Sequence, residues 1–141
     1  MYNKLLVAYD GSNLADKALG HALALAERYE ASLVVVHVYG VPMFNSGDML
    51  IAAPAEWAAD YAKHSASVLE TAKDKVPPEA RAEFRLVNGN PAETILSLAA
   101  ETGADLIVMG SRGLGGIREF VLGSVSHNVV QHAKVPVLIV K

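Results

Sequence analysis

The chain has 141 residues, 52% hydrophobic and 19% charged, with a formal net charge of −3 and no cysteine. This length supports one compact domain over residues 1–141 and excludes two domains of ordinary size, while the apolar content excludes a disordered chain. The slightly acidic balance leaves no basic surplus for nucleic acid or an anionic membrane surface, and the missing cysteine removes disulfides, thiolate catalysis and cysteine metal sites together.

In chain order, the first predicted element is a strand at "KLLVAY" (Lys4 to Tyr9), apolar on both alternations as in a strand covered on both faces. Asp10 interrupts this apolar start before a secretory core could form, and no run approaches the roughly 18 apolar residues of a membrane span. The expectation is a cytoplasmic protein without membrane insertion. A helix follows, with Ala15, Ala18, Leu19, Ala22, Leu23 and Ala26 recurring at three- and four-residue steps. "SLVVVHVY" (Ser32 to Tyr39) is the second strand.

Gly40 to Ala55 has no clear period and is longer than a strand-to-helix loop needs; its Met49, Leu50 and Ile51 argue for burial against a neighbour. A second helix places Trp57, Tyr61, Ser65, Val68 and Ala72 along one face and ends before Pro77 and Pro78. "AEFRLV" (Ala82 to Val87) is the third strand. Asn90 then caps a third helix, with Pro91 at its first position, Glu93 where a capping-box partner sits, and Gly103 at its end.

"ADLIVMG" (Ala104 to Gly110) is the fourth strand, a short last helix starts near Ser124, and "VPVLIV" (Val135 to Val140) is the fifth strand. Strands separated by helices imply crossovers, hence an α/β fold with a parallel sheet in the middle of three layers and helices on both faces. Five histidines show no metal-ligand spacing, and His37 reads as a satisfied core histidine within a buried strand.

The segment "MGSRGLGGIREFVLGS" (Met109 to Ser124) holds five glycines. Glycine admits positive φ and close backbone approach, so a glycine loop leaving a strand suggests anion binding by main-chain amides. Two cradles are expected, Gly110 to Gly113 after the fourth strand and Gly123-Ser124 at the N-terminus of the last helix. The Walker loop is excluded because no lysine lies between Lys75 and Lys134, the dinucleotide GxGxxG fails at Arg118, and neither Ser111 nor Ser124 sits in a GxSxG elbow.

Gly110, Gly113, Gly123 and Ser124 do follow the pattern glycine, two residues, glycine, nine residues, glycine, serine or threonine. In this spacing, and in "LLVAYDGS", "VVHVY" and "VPVLIV", the chain resembles the ATP-binding subgroup of the universal stress protein family. The resemblance implies an open, twisted five-stranded Rossmann-like sheet of order 3-2-1-4-5, with Mg-ATP, or ADP or AMP, held between strands one and four. It implies the phosphates on Gly113, Gly123, Ser124 and the Val125 amide, with Gly110 near the ribose. Adenine would rest on Ala8, Val38 and Met109, with the Val38 main chain on the base edge. Asp10 would face the ribose or a Mg²⁺ ion bound through the phosphates. The resemblance also implies a homodimer through Val135–Val140, an apolar edge strand that a second copy would cover.

Other readings of the same residues remain open at this point. Asp10-Gly11-Ser12 is also an ordinary strand-to-helix turn, and Ser124 is also a plain N-cap. Arg112 and Arg118 are secondary phosphate candidates, while Gly115 and Gly116 are hinge candidates. No glutamine, lysine or second carboxylate is tied by sequence to the crevice, so the expected function is a nucleotide-dependent stress sensor whose loop is read by a protein partner. A dimeric scaffold with a structural nucleotide and a slow ATP hydrolase are the alternatives.

Overall fold

The computed structural model describes residues 1–41, 43–113 and 122–141. Its strands are β1 (Lys4–Ala8), β2 (Ser32–Tyr39), β3 (Met43–Ser46), β4 (Met49–Ala52), β5 (Ala82–Asn88), β6 (Leu106–Gly110) and β7 (Val137–Val140). The helices are α1 (Asn13–Tyr29), α2 (Ala55–Lys75), α3 (Pro91–Thr102) and α4 (Ser124–His132). β5, β2, β1, β6 and β7 lie side by side, all parallel. Counting only these five, the order is the expected 3-2-1-4-5.

The sheet separates two cores. Leu5, Val7, Leu33, Val35 and Val108 pack against Ala18, Leu19 and Ala22 of α1 and Leu69 and Ala72 of α2. The opposite pleat, Leu6, Val34, Val36, Ile107 and Met109, packs against Ile95, Leu98 and Ala99 of α3 and Val129 of α4. Leu5, Leu6 and Val7 are fully buried, which is why β1 reads as a continuous apolar run instead of an alternating one.

Local chemistry sets the helix ends. Ser12 Oγ accepts the Ala15 amide at 3.1 Å to start α1, and Asn90 Oδ1 accepts the Glu93 amide at 3.1 Å to start α3, with Pro91 in its first turn. Gly103, at φ 70°, closes α3, and the Ala104 amide returns to Ala99 O at 3.0 Å. Ala104 thus completes the helix, and β6 begins two residues later than the apolar run suggests. β7 likewise begins after Pro136, which has no amide to donate but accepts the Ile107 amide at 3.0 Å through its carbonyl.

Two expectations are corrected. Gly40 to Ala55 contains an antiparallel hairpin, β3 with β4 in the register Ser46↔Met49, turning at Gly47 with φ 66°. Met49, Leu50 and Ile51 are exposed on it rather than buried. On α2, Ser65 and Ala72 are buried as the spacing predicts, but Trp57 and Tyr61 are 47% and 41% exposed, because the buried residues of α2 begin only at Ser65. No helix among the described residues is long and apolar enough to cross a membrane.

Candidate functional site

β1 and β6 are neighbours, but the chain leaves them in opposite directions. From β1 it passes to α1 on one face; from β6 it returns in α4 on the other. Two adjacent strands whose exits diverge leave a crevice beyond their carboxyl ends, the usual ligand position in open α/β sheets. A cavity of about 460 Å³ opens there, within the ordinary range for a small-molecule site.

All nine residues singled out in the sequence line this one cavity: Ala8, Asp10, Val38, Met109, Gly110, Gly113, Gly123, Ser124 and Val125. One end is apolar. Ala8, Val36, Val38 and Met109 come from the α3 side of the sheet, and Ile95 and Pro91 of α3 close over them. Val36 follows from Val38 by the two-residue period of a strand, whereas the α3 residues carry no signal in the sequence that would place them here.

The Val38 main chain faces the crevice for a reason of register. The Tyr9 amide donates to Val36 O at 2.8 Å, so Val36 turns its polar groups toward β1, and Val38, two residues on, turns the same way. At that level the β1 chain has left into the Asp10–Ser12 turn. The Tyr9 carbonyl is in contact with Nδ1 of His37, 2.8 Å away. His37 is therefore a buried, satisfied histidine, as its position in the strand suggested.

The other end is built from main chain. The Gly123 amide donates to Ser111 O at 2.8 Å, and Ser126 Oγ donates to the same carbonyl at 2.7 Å. These two bonds bring Gly110–Gly113 and Gly123–Val125 side by side, so the two cradles form one. Ser111 and Ser126 are 4% and 2% exposed and were not singled out in the sequence. Gly123 is the N-cap of α4, and Ser124 is the first helical residue and not the cap. With glycine at that place no side chain covers the first-turn amides, which point along the helix axis as in anion sites.

Positive φ does not explain these glycines. Among the described glycines it occurs at Gly11, Gly47 and Gly103, whereas Gly123 has φ −64°. Space explains Gly110, and at Gly113 a side chain would have to displace the Asp10 carboxylate. A Cβ on Gly110 would lie 2.9 Å from Leu14 Cβ and 3.1 Å from Arg112 O, and a Cβ on Gly113 would run into the Asp10 carboxylate. At Gly123 a Cβ would meet only ordinary contacts, so the fold itself does not demand glycine there. Gly115, Gly116 and Arg118 lie outside the described residues.

Asp10 Oδ1 accepts the Ser12 amide at 2.9 Å, so the turn reading holds, while Oδ2 is on the Gly113 side. Among the described residues, no group of three or more histidine, cysteine or acidic side chains could hold a metal ion. Below the crevice, buried Tyr9 donates its hydroxyl to Asp16 Oδ1 at 2.6 Å, and Lys75 Nζ reaches the same oxygen at 2.5 Å. Burial, then the Asp16 carboxylate, raise the Tyr9 phenol above its ordinary range. For Asp16, burial acts to raise the carboxyl but is outweighed by the hydrogen bonds from Lys75 and Tyr9 and by the Lys75 charge, so the carboxyl lies below its usual range.

Residues 1–141 match the model of the Universal stress protein family. Universal stress protein YxiE of Bacillus subtilis is 40% identical over 148 aligned positions that cover both chains completely. A solved universal stress protein in complex with cAMP is 32% identical, with a TM-score of 0.74 over 99% of this chain and 97% of that one. A family protein from Burkholderia pseudomallei is also 32% identical, with a TM-score of 0.75 over 99% and 96% of the two chains.

Proposed function

The chain belongs to the universal stress protein family, and from that premise we propose that its crevice binds an adenine nucleotide, ATP with Mg²⁺ or the related ADP or AMP, as a cytoplasmic nucleotide-dependent regulator in stress response. The observation that carries this reading is the polarity of the cavity. An apolar slot formed by Ala8, Val38 and Met109 leads to a main-chain cradle formed by Gly113, Gly123, Ser124 and Val125. A purine base and a phosphate chain joined by a ribose have the same order of polarity. The relative in complex with cAMP, itself an adenine nucleotide, supports the choice of base.

In this reading the Val38 main chain hydrogen-bonds the base edge, Gly110 lies under the ribose, and the α4 amides take phosphate oxygens. Asp10 supplies one carboxylate, too few to hold Mg²⁺ alone but suited to an ion that arrives on the phosphates and keeps most of its waters. Mg²⁺ would offset the phosphate charge beside that carboxylate. Asp10 is the only carboxylate among the described lining residues, so no second carboxylate there shares the work of activating a water, and in this reading the protein acts by holding nucleotide, with at most slow hydrolysis.

A scaffold reading has one specific observation behind it. β7 is an edge strand in which Val137, Leu138 and Ile139 are only partly buried. A homodimer through Val135–Val140 would cover that edge, with the nucleotide as a fixed component. Calorimetric titration of the full chain with ATP, with and without Mg²⁺, alongside Gly113→Val, tests the nucleotide reading. The unmodified protein binds, and the variant, whose side chain meets Asp10, binds at least about tenfold more weakly. No binding by the unmodified protein would sink the reading, and equal binding by both would remove Gly113 from the site. Turnover well above about 1 s⁻¹ would make it a hydrolase.

A further inference from the structure

Among the described residues, the buried side-chain polar atom left without a hydrogen-bond partner is Nε of Arg112. A buried donor in that state is rare and carries a standing penalty, larger when the group is charged. Arg112 lines the crevice, and none of the ion pairs among the described residues includes it. Its main chain is wedged at the junction of the two cradles. Arg112 O lies 3.1 Å from where a Gly110 Cβ would be, and Arg112 Cα 3.5 Å from where a Gly123 Cβ would be. With both flanks packed, the main chain that carries this side chain is fixed at the cradle.

Charge points the same way. Asp10 and Arg112 are the only charged side chains among the described residues lining the cavity. A polyanion entering beside a carboxylate is repelled, and the planar guanidinium is the group whose donors match phosphate oxygens. We propose that Arg112 is the phosphate-charge ligand of this crevice and that it ranks ligands by phosphoryl charge, polyphosphate above monophosphate above unphosphorylated nucleoside. The proposal rests on the crevice being the nucleotide site. It adds to that reading a side-chain cation with a selective role, which the main-chain cradle alone lacks.

The test is calorimetric titration of the full chain with ATP, AMP, adenosine and inorganic tripolyphosphate, using the unmodified protein, Arg112→Gln and Arg112→Lys, with circular dichroism to establish folding. Arg112→Gln weakens ATP by about 10- to 100-fold, the range for charge-assisted hydrogen bonds, weakens AMP less, and leaves adenosine within about threefold. Arg112→Lys recovers part of the loss, since it restores charge without the planar fork. Equal weakening of ATP and adenosine, or ATP affinity within about threefold of the parent, overturns the proposal. Arg112-dependent tripolyphosphate binding with no adenine ligand bound removes the adenine reading and upholds Arg112. Binding of none of the four by the unmodified protein overturns both. Should Arg112→Gln fail to fold, the ATP-to-adenosine ratio of Arg112→Lys decides by the same criteria.

Discussion

The same substitution, glycine to alanine, is expected to change stability in opposite directions at Gly20 and Gly110. Gly20 lies inside α1, exposed, with no atom within 4 Å of an added Cβ. Alanine there gains about 0.5–1 kcal/mol from helix propensity and a less mobile unfolded chain. At Gly110 the new Cβ would sit 2.9 Å from Leu14 Cβ, roughly 0.6 Å inside ordinary carbon contact. Leu14 is in the first turn of α1 and its position is held by the Ser12 cap, so relief requires α1 to shift from the end of β6. Overpacking of this kind costs about 1–3 kcal/mol, of which the smaller unfolded-state entropy returns about 0.4–1. With melting temperature moving about 3 °C per kcal/mol for a chain of this length, Gly20→Ala should melt about 2–3 °C higher than the parent and Gly110→Ala up to about 8 °C lower. Urea and thermal unfolding with unchanged m-values would measure both. A Gly110→Ala protein stabilised as much as Gly20→Ala would refute the packing reading and leave ligand approach as the reason for that glycine.

Ser126→Ala should lose about 1 kcal/mol in urea unfolding, because it removes the donor to Ser111 O and Gly123 O while the Gly123 amide still satisfies Ser111 O. Asp16→Asn should destabilise at neutral pH by less than about 1 kcal/mol, since the carboxylate is partly exposed. The sign of its pH dependence follows from the lowered carboxyl. The stabilisation is complete above the unfolded value near pH 4 and is lost as pH falls through the folded value, so parent and variant should converge in acid melts below about pH 4.

The sheet was legible because its central strands are buried on both faces. A strand between two helical layers makes "LLV" and "VVV" apolar on both alternations, and the turn at Asp10–Ser12 and the caps at Asn90 and Gly103 mark where the intervening helices begin or end. The hairpin was not legible by the same rule. Its four-residue strands expose apolar side chains, so no alternation marks them; the available signal was the two-residue Gly47-Asp48 turn between apolar runs. Trp57 and Tyr61 failed differently: helical spacing shows that residues share a face, and it carries no information on whether a core lies opposite.

The crevice glycines stand out by their spacing, yet for a physical reason other than the expected one. At Gly110 Leu14 stands where a side chain would be, at Gly113 the movable Asp10 carboxylate does, and of the three Gly123 has room for one. This difference also joins the two readings of Asp10. Its Oδ1 is committed to the Ser12 amide, which organises the start of α1, and its Oδ2 is turned to Gly113, which belongs to the loop leaving β6. The turn and the site are one arrangement, because the residue that directs the chain out of β1 also touches the loop that leaves β6. A carboxylate placed in this way stands between the start of α1 and the start of the glycine loop. Displacing it from either side, by a Gly113 side chain or by loss of the Ser12 amide bond, therefore alters both walls of the crevice at once.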